Sequence, residues 1–153
     1  MILFSLNNAY SQTSMPNINI KTLEGKTINS KTTYNKNGLT VYSFWATWCV
    51  PCVKEMPSFE NLYRRYRSQG LTLLAVSLDK GDSTKVQEFA DKHKLSFPIL
   101  LDTKGVAEKL YPSFSIPFTY VIDKQGRVAA RVDGAKDWQS PETFKAVEYL
   151  LTQ

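Results

Sequence analysis

The sequence has few of the side chains that build metal sites and cross-linked scaffolds: two cysteines and one histidine in 153 residues. A structural zinc site takes about four nitrogen or sulfur ligands, so a zinc finger is a poor fit, and two cysteines close one disulfide at most. No run approaches the roughly 20 apolar residues that cross a bilayer as a helix. No Lys or Arg precedes Lys21, so Ile2-Leu3-Phe4-Ser5-Leu6 lacks the basic start of a secretory signal. Ala9-Tyr10-Ser11 nevertheless fits the small-x-small pattern of a cleavage site. Residues 1–15 are therefore read as a signal remnant or a disordered tail, and 16–153 as a single domain. Repeats, low-complexity segments and internal linkers are missing. The net charge of +5 is spread along the chain apart from Arg64-Arg65-Arg67. No nucleic-acid motif accompanies it, which leaves a solvated basic surface.

What the chain does have is Trp48-Cys49-Val50-Pro51-Cys52, which contains both cysteines. The motif follows the hydrophobic run Leu39–Trp45 and precedes a helical pattern. On one helical turn, positions i and i+3 are neighbours and fall within disulfide range. A cysteine at a helix N-terminus meets the positive end of the dipole and unpaired N–H groups, both of which favour the thiolate. A strand feeding C-x-x-C at a helix start therefore points to dithiol–disulfide chemistry. A purely structural disulfide is the alternative, although so small a ring constrains little of the unfolded chain. Cys49, at the terminus and expected to be exposed, is the candidate nucleophile. Cys52, one turn deeper, is the candidate resolving thiol. Val50 and Pro51 add no charge, and Pro51 removes one N–H that would solvate a thiolate. That composition favours a reductant over a strong oxidant. Trp48 is placed to shape a partner surface or to pack. His93, in Lys92-His93-Lys94, is read as surface.

Periodicity lays strands and helices along the rest. Ile18–Leu23 alternates with period two and returns at Thr27-Ile28 as a hairpin. Asn37-Gly38 turns into the strand Leu39–Trp45. A helix spans about Val50 to Gln69, with Pro57 expected to kink it and Gly70 to end it. Leu71–Leu78 reads as a strand buried on both faces. Thr84–His93 is an amphipathic helix, Phe97–Leu101 a strand and Val106–Tyr111 a short helix. Phe118–Ile122 and Arg127–Val132 form a hairpin. Ser140-Pro141-Glu142 opens a last helix. The order is βαβ, then a helix–strand–helix excursion, then ββα.

That order, with Phe44–Cys52, Pro57 and Ser115-Ile116-Pro117-Phe118-Thr119, resembles the thioredoxin fold. The hairpin at about 18–28, the helix–strand insertion at about 80–101 and Lys54-Glu55-Met56-Pro57 resemble the TlpA/ResA-like branch. The resemblance covers about residues 16–151. It implies an α/β fold with a central mixed sheet flanked by helices. It also implies a cis bond before Pro117 opposite the dithiol, with Ile116 offering its backbone to a partner peptide. Trp48, Val50, Pro51, Ile116 and Pro117 would then form the substrate-binding surface. Tyr111 and Phe114 are read as core-packing residues, with the rim of the site as the alternative. The implied activity is reduction of protein disulfides by an extracytoplasmic bacterial oxidoreductase, as in cytochrome c maturation. Apocytochrome c would be the substrate, a membrane thiol reductant the electron donor, and no cofactor is called for. Classical thioredoxins carry a buried Asp six residues before the first cysteine. Here Ser43 stands there, and the branch's glutamate, Glu55, is the proton-handling candidate.

Two other functions stay open. The hairpin also occurs in thiol peroxidases of the peroxiredoxin type, but their Pro-x-x-x-Thr-x-x-Cys pattern is absent, since Thr47 is only two residues before Cys49. A non-catalytic binding module with a structural disulfide is the other.

Overall fold

The computed structural model describes residues 17–110 and 116–153. The signal reading of 1–15 and the rim positions Tyr111 and Phe114 lie outside the described residues.

Strands β1 (Asn19–Thr22) and β2 (Thr27–Asn29) form the expected hairpin. The sheet continues through β3 (Leu39–Trp45), β4 (Leu71–Ser77), β5 (Ile99–Leu101), β6 (Phe118–Ile122) and β7 (Val128–Asp133). It is seven-stranded and ordered β2-β1-β5-β4-β3-β6-β7, with β3, β4 and β5 parallel and the flanks antiparallel. Helices α1 (Val50–Tyr66), α2 (Thr84–Lys92), α3 (Val106–Leu110) and α4 (Pro141–Leu151) cover its faces. The sheet is mixed and flanked by helices, as the resemblance implies.

Every residue of β3 is buried, as befits a central strand covered on both faces. Leu39, Val41 and Trp45 join one apolar cluster with Met56, Phe59 and Leu62 of α1, Val86 of α2 and Val147 of α4. Tyr42 and Phe44 join the other, with Leu74, Phe118 and Ala107 of α3. The redox motif therefore opens a helix whose apolar stripe is anchored directly on the central strands.

Two expected boundaries move for local reasons. Helix α1 tightens after Tyr66 into a 3-10 turn, Arg67–Gln69, closed by Gly70 at φ 102°, a value that favours glycine. Gly70 also receives Gly38: a Cβ on Gly38 would lie 2.0 Å from the Gly70 carbonyl oxygen, so no other residue fits. The expected strand from Phe97 is only Ile99–Leu101. Pro98 has no N–H for the ladder, and its carbonyl instead accepts the Ala75 N–H at 3.1 Å. Pro57 lies inside α1, where the Val53 carbonyl loses its helical partner.

Candidate redox site

Strand β3 ends at Trp45, and the chain turns through Ala46–Trp48, the Cys49 N–H donating to the Ala46 carbonyl at 3.1 Å. Cys49 is the N-cap of α1, in extended conformation at φ −92° and ψ 103°. Its Sγ accepts the N–H of Cys52 at 3.3 Å. A helix leaves its first N–H groups unpaired, and here a sulfur takes the place usually filled by a Ser or Asp oxygen. Cys49 and Cys52 are joined as a disulfide with Cα atoms 5.2 Å apart, inside the range that spacing on one turn predicts.

The Ile116–Pro117 peptide is cis. Its loop faces the disulfide, with the Ile116 carbonyl oxygen 3.7 Å from Cys49 Sγ. A disulfide sulfur has no proton to donate, so this is a packing contact. It corrects one expectation. Cys49 is only 6% exposed, not open, and the Ile116 carbonyl lies against its sulfur. Cys52 is fully buried at 0%, so the order of access holds although the degree does not. The exposed surface belongs to the neighbours: Trp48 is 67% exposed and Val50 63%. Trp48 therefore does not pack into the core, and Pro51 beside Val50 is also exposed. Pro117 is buried and Ile116 half-buried.

Behind the disulfide, α1 carries Glu55, 3% exposed. Its Oε2 accepts the Lys136 backbone N–H and the Trp138 Nε1–H, each at 3.0 Å. Its Oε1 is buried without a hydrogen-bond partner among the described residues. Burial pushes the Glu55 carboxyl up to about 7, against the lowering effect of the two N–H donors. The 135–139 segment is laced onto α1 a second time. Ser58 Oγ accepts the Trp138 N–H at 3.1 Å and donates to the Glu55 carbonyl at 2.8 Å. The Trp138 ring stacks on Phe59 at 4.6 Å. A cleft of about 400 Å³ opens beside Glu55 between Lys54, Pro57, Lys136 and Gln139.

Ser43 is completely buried, and its hydroxyl has no partner among the described residues. Its register neighbour on β6 is Thr119, whose hydroxyl is unpartnered in the same way. No carboxylate stands at either position, so the acid nearest the second sulfur along α1 is Glu55, three residues on. His93 is exposed at the end of α2, stacked on Phe89 at 4.1 Å. The sequence reading missed Trp138 and Lys136, which hold Glu55, and Asp79, which holds Thr47. The one available signal was a lone Trp in the polar stretch 133–140, where an isolated large ring has to be buried against something.

A C-x-x-C disulfide capping a helix, faced by a cis-proline loop at the ends of the central strands of a mixed sheet, defines a thiol–disulfide oxidoreductase of thioredoxin-like fold. Comparison with known proteins assigns the lineage: the chain belongs to the AhpC/TSA family, whose pattern it matches over residues 12–131. It is 34% identical over 129 residues to the thiol-disulfide oxidoreductase ResA of Bacillus thuringiensis subsp. konkukian, covering 84% of this chain and 73% of that protein. It is 35% identical over 111 residues to the sporulation thiol-disulfide oxidoreductase A of Bacillus subtilis, covering 71% of this chain and 66% of that one. Among solved structures, StoA of Bacillus subtilis superposes with a TM-score of 0.69 at 28% identity, over 92% of this chain and all of that one. A thiol:disulfide interchange protein of Chlorobium tepidum shares the fold, with a TM-score of 0.72 at 24% identity over 91% and 96% of the two chains. The protein is a thiol–disulfide oxidoreductase with a ResA-like architecture.

Proposed function

We propose that the protein works as a reductant of protein disulfides outside the cytoplasm, with Cys49 attacking, Cys52 resolving and Glu55 carrying the proton. The observation that carries this reading is the arrangement along α1: a sulfur at the helix cap, a second sulfur one turn deeper and a buried carboxyl one turn deeper again.

The Cys49 thiolate, favoured by the helix terminus, attacks one sulfur of a substrate disulfide. The substrate's S–S bond breaks, a mixed disulfide forms on Cys49, and the departing substrate thiolate takes a proton from water. The Cys52 thiol then gives its proton to the Glu55 carboxylate and attacks Cys49 Sγ. The mixed disulfide breaks, the Cys49–Cys52 bond forms, and the second substrate thiolate leaves and is protonated. Residues i and i+3 on a helix lie about 5–6 Å apart at Cβ, so Glu55 is within reach of Cys52 directly or through intervening groups. A carboxyl held near 7 both accepts and returns a proton at neutral pH. A thiol donor, for which a membrane reductant is the fitting source, resets the pair by the reverse steps.

Trp48, Val50 and Pro51 present an uncharged surface around Cys49 that suits an unfolded or extended polypeptide, and Ile116 lines its other side. Apocytochrome c has that chemistry. No charged side chain stands among residues 48–52 to stabilise a thiolate further, which supports a potential near thioredoxin's, about −270 mV, and not the roughly −120 mV of strong oxidants. The extracytoplasmic setting fits the small-x-small pattern at Ala9-Tyr10-Ser11.

The deciding experiment is Cys52→Ala. It should accumulate mixed disulfides on Cys49 when offered a reducible protein substrate, while Cys49→Ala accumulates none. Adducts formed equally on Cys52 in the Cys49→Ala variant would overturn the division of labour. Glu55→Gln should lower turnover at pH 7 by roughly 10²-fold and erase the inflection near pH 7. An unchanged pH–rate profile would remove Glu55 from the proton path.

A further inference from the structure

We propose that Asp79 is a positioning residue for the redox loop. Its carboxylate ties the turn before Cys49 to the end of β4 and so holds the two sulfurs at closing distance. Asp79 follows β4 by two residues and is 8% exposed. Both carboxylate oxygens bind Thr47, two positions before Cys49. Oδ2 accepts the Thr47 N–H at 3.0 Å and Oδ1 accepts the Thr47 hydroxyl at 2.5 Å. Oδ2 also accepts the Ser77 hydroxyl at 2.7 Å, and Ser77 Oγ accepts the Asp79 N–H at 3.1 Å. The last strand residue holds the carboxylate, and the carboxylate holds the loop. The β3–β4 ladder reaches the same place, the Leu78 N–H donating to the Trp45 carbonyl at 2.8 Å.

Consider the loop without this tie. Among the described residues, the main-chain hydrogen bond left within the turn from Trp45 to Cys49 is that from the Cys49 N–H to the Ala46 carbonyl. Cys52 is held by the buried face of α1, and Cys49 joins the loop to the same helix, its carbonyl accepting the Val53 N–H at 3.0 Å and its Sγ the Cys52 N–H at 3.3 Å. Freedom in the loop therefore loosens that cap, and with it the rotamer and position of the Cys49 sulfur relative to Cys52. In the reduced protein, a disulfide closes only from conformers with both sulfurs in reach. A fixed loop raises their effective concentration, and a loose one lowers it. Closure passes two electrons and two thiol protons to an acceptor. With glutathione disulfide, the Cys49 and Cys52 S–H bonds break, one S–S bond forms, and two glutathione thiols leave. Loosening the loop lowers the equilibrium constant of that closure, so the pair becomes easier to reduce. The acidic group does not touch the sulfurs, and its part is exercised through Thr47.

The test is the equilibrium constant against a glutathione redox buffer. Asp79→Ala should shift it at least tenfold toward the dithiol, about 30 mV for a two-electron couple. Asp79→Asn preserves the shape: its oxygen accepts from Thr47 N–H and Ser77, and its amide donates to the Thr47 hydroxyl. It should stay within threefold of the wild type. Thr47→Val removes only the hydroxyl bond and should fall between the two. If Asp79→Ala leaves the constant unchanged, or Asp79→Asn shifts it as far as Asp79→Ala, the proposal is wrong; the second result would make charge, and not the tie, the cause. Should Asp79→Ala fail to fold, Thr47→Val decides alone, and an unchanged constant there overturns the proposal.

Discussion

Glu55 and Glu60 lie five residues apart on one helix, both buried, at 3% and 8% exposed, yet their carboxyls shift in opposite directions. For Glu60, burial alone would raise the carboxyl. It is outweighed by the Ser96 hydroxyl at 2.5 Å, the Ser96 N–H at 3.0 Å and the Arg64 guanidinium at 2.8 Å, and the group is held below its ordinary range. Among the described residues, Glu55 has two neutral N–H donors on one oxygen, none on the other, and no charged group donating to it, so burial wins and the carboxyl rises to about 7. Burial by itself does not decide what a carboxylate becomes. The number of donors and the presence of a counter-charge do. One helix thus carries a structural acid and a titrating one.

The largest expected effect is on the pH dependence of stability. Glu55 has a folded value above its ordinary 4.5. Between about 4.5 and 7 the folded state holds the proton that the unfolded state has lost. That contribution is complete below 4.5 and is lost as the pH rises through 7. Urea melts of wild type should therefore lose of order 3 kcal/mol from this group between pH 4 and 8, and Glu55→Gln should lack that loss. Equal slopes for the two proteins would mean that Glu55 titrates normally. Next comes Glu60→Ala, which strips three hydrogen bonds and should cost about 1–2 kcal/mol. Its sign with pH is opposite: the stability that Glu60 contributes is present above the ordinary carboxylate range and is lost as the pH falls through its lowered value. Redox turnover should not change, and a turnover defect at equal folded fraction would break the division between the two acids. The smallest effect is Trp138→Phe. It keeps the ring stack on Phe59 and deletes one donor to Glu55, so the pH–rate inflection should move upward by less than about one unit. A downward move would contradict the cause assigned to the Glu55 shift.

Local rules made much of this chain legible. The all-buried β3, the stripe on α1, the hairpin at 18–28 and the Ser140 cap with Pro141 each follow from spacings of four residues or fewer. The observed N-cap, with Ser140 Oγ accepting the Thr143 N–H at 3.2 Å, is the one those residues predict. The front of the site was legible for the same reason in Cys49–Cys52, and through family resemblance in Ile116-Pro117. The back was not. Glu55 meets Trp138 across 83 positions and Thr47 meets Asp79 across 32, and no periodicity encodes which loop returns to which helix. The exposure of Cys49 failed on the same ground, since a backbone carbonyl 67 residues away lies against its sulfur.

The placement of the tryptophans has an optical consequence. Trp138 is buried with its indole N–H on the titrating carboxylate, and Trp48 stands in solvent next to the disulfide. Their emission should separate by colour, the buried ring blue and the exposed one red. A disulfide quenches a neighbouring indole, so the red band follows electrons. The blue band combines Trp138 with the fully buried Trp45, so Trp45→Phe leaves it to Trp138 and the carboxyl its indole N–H contacts. In that variant a single fluorescence titration reads both channels without a label.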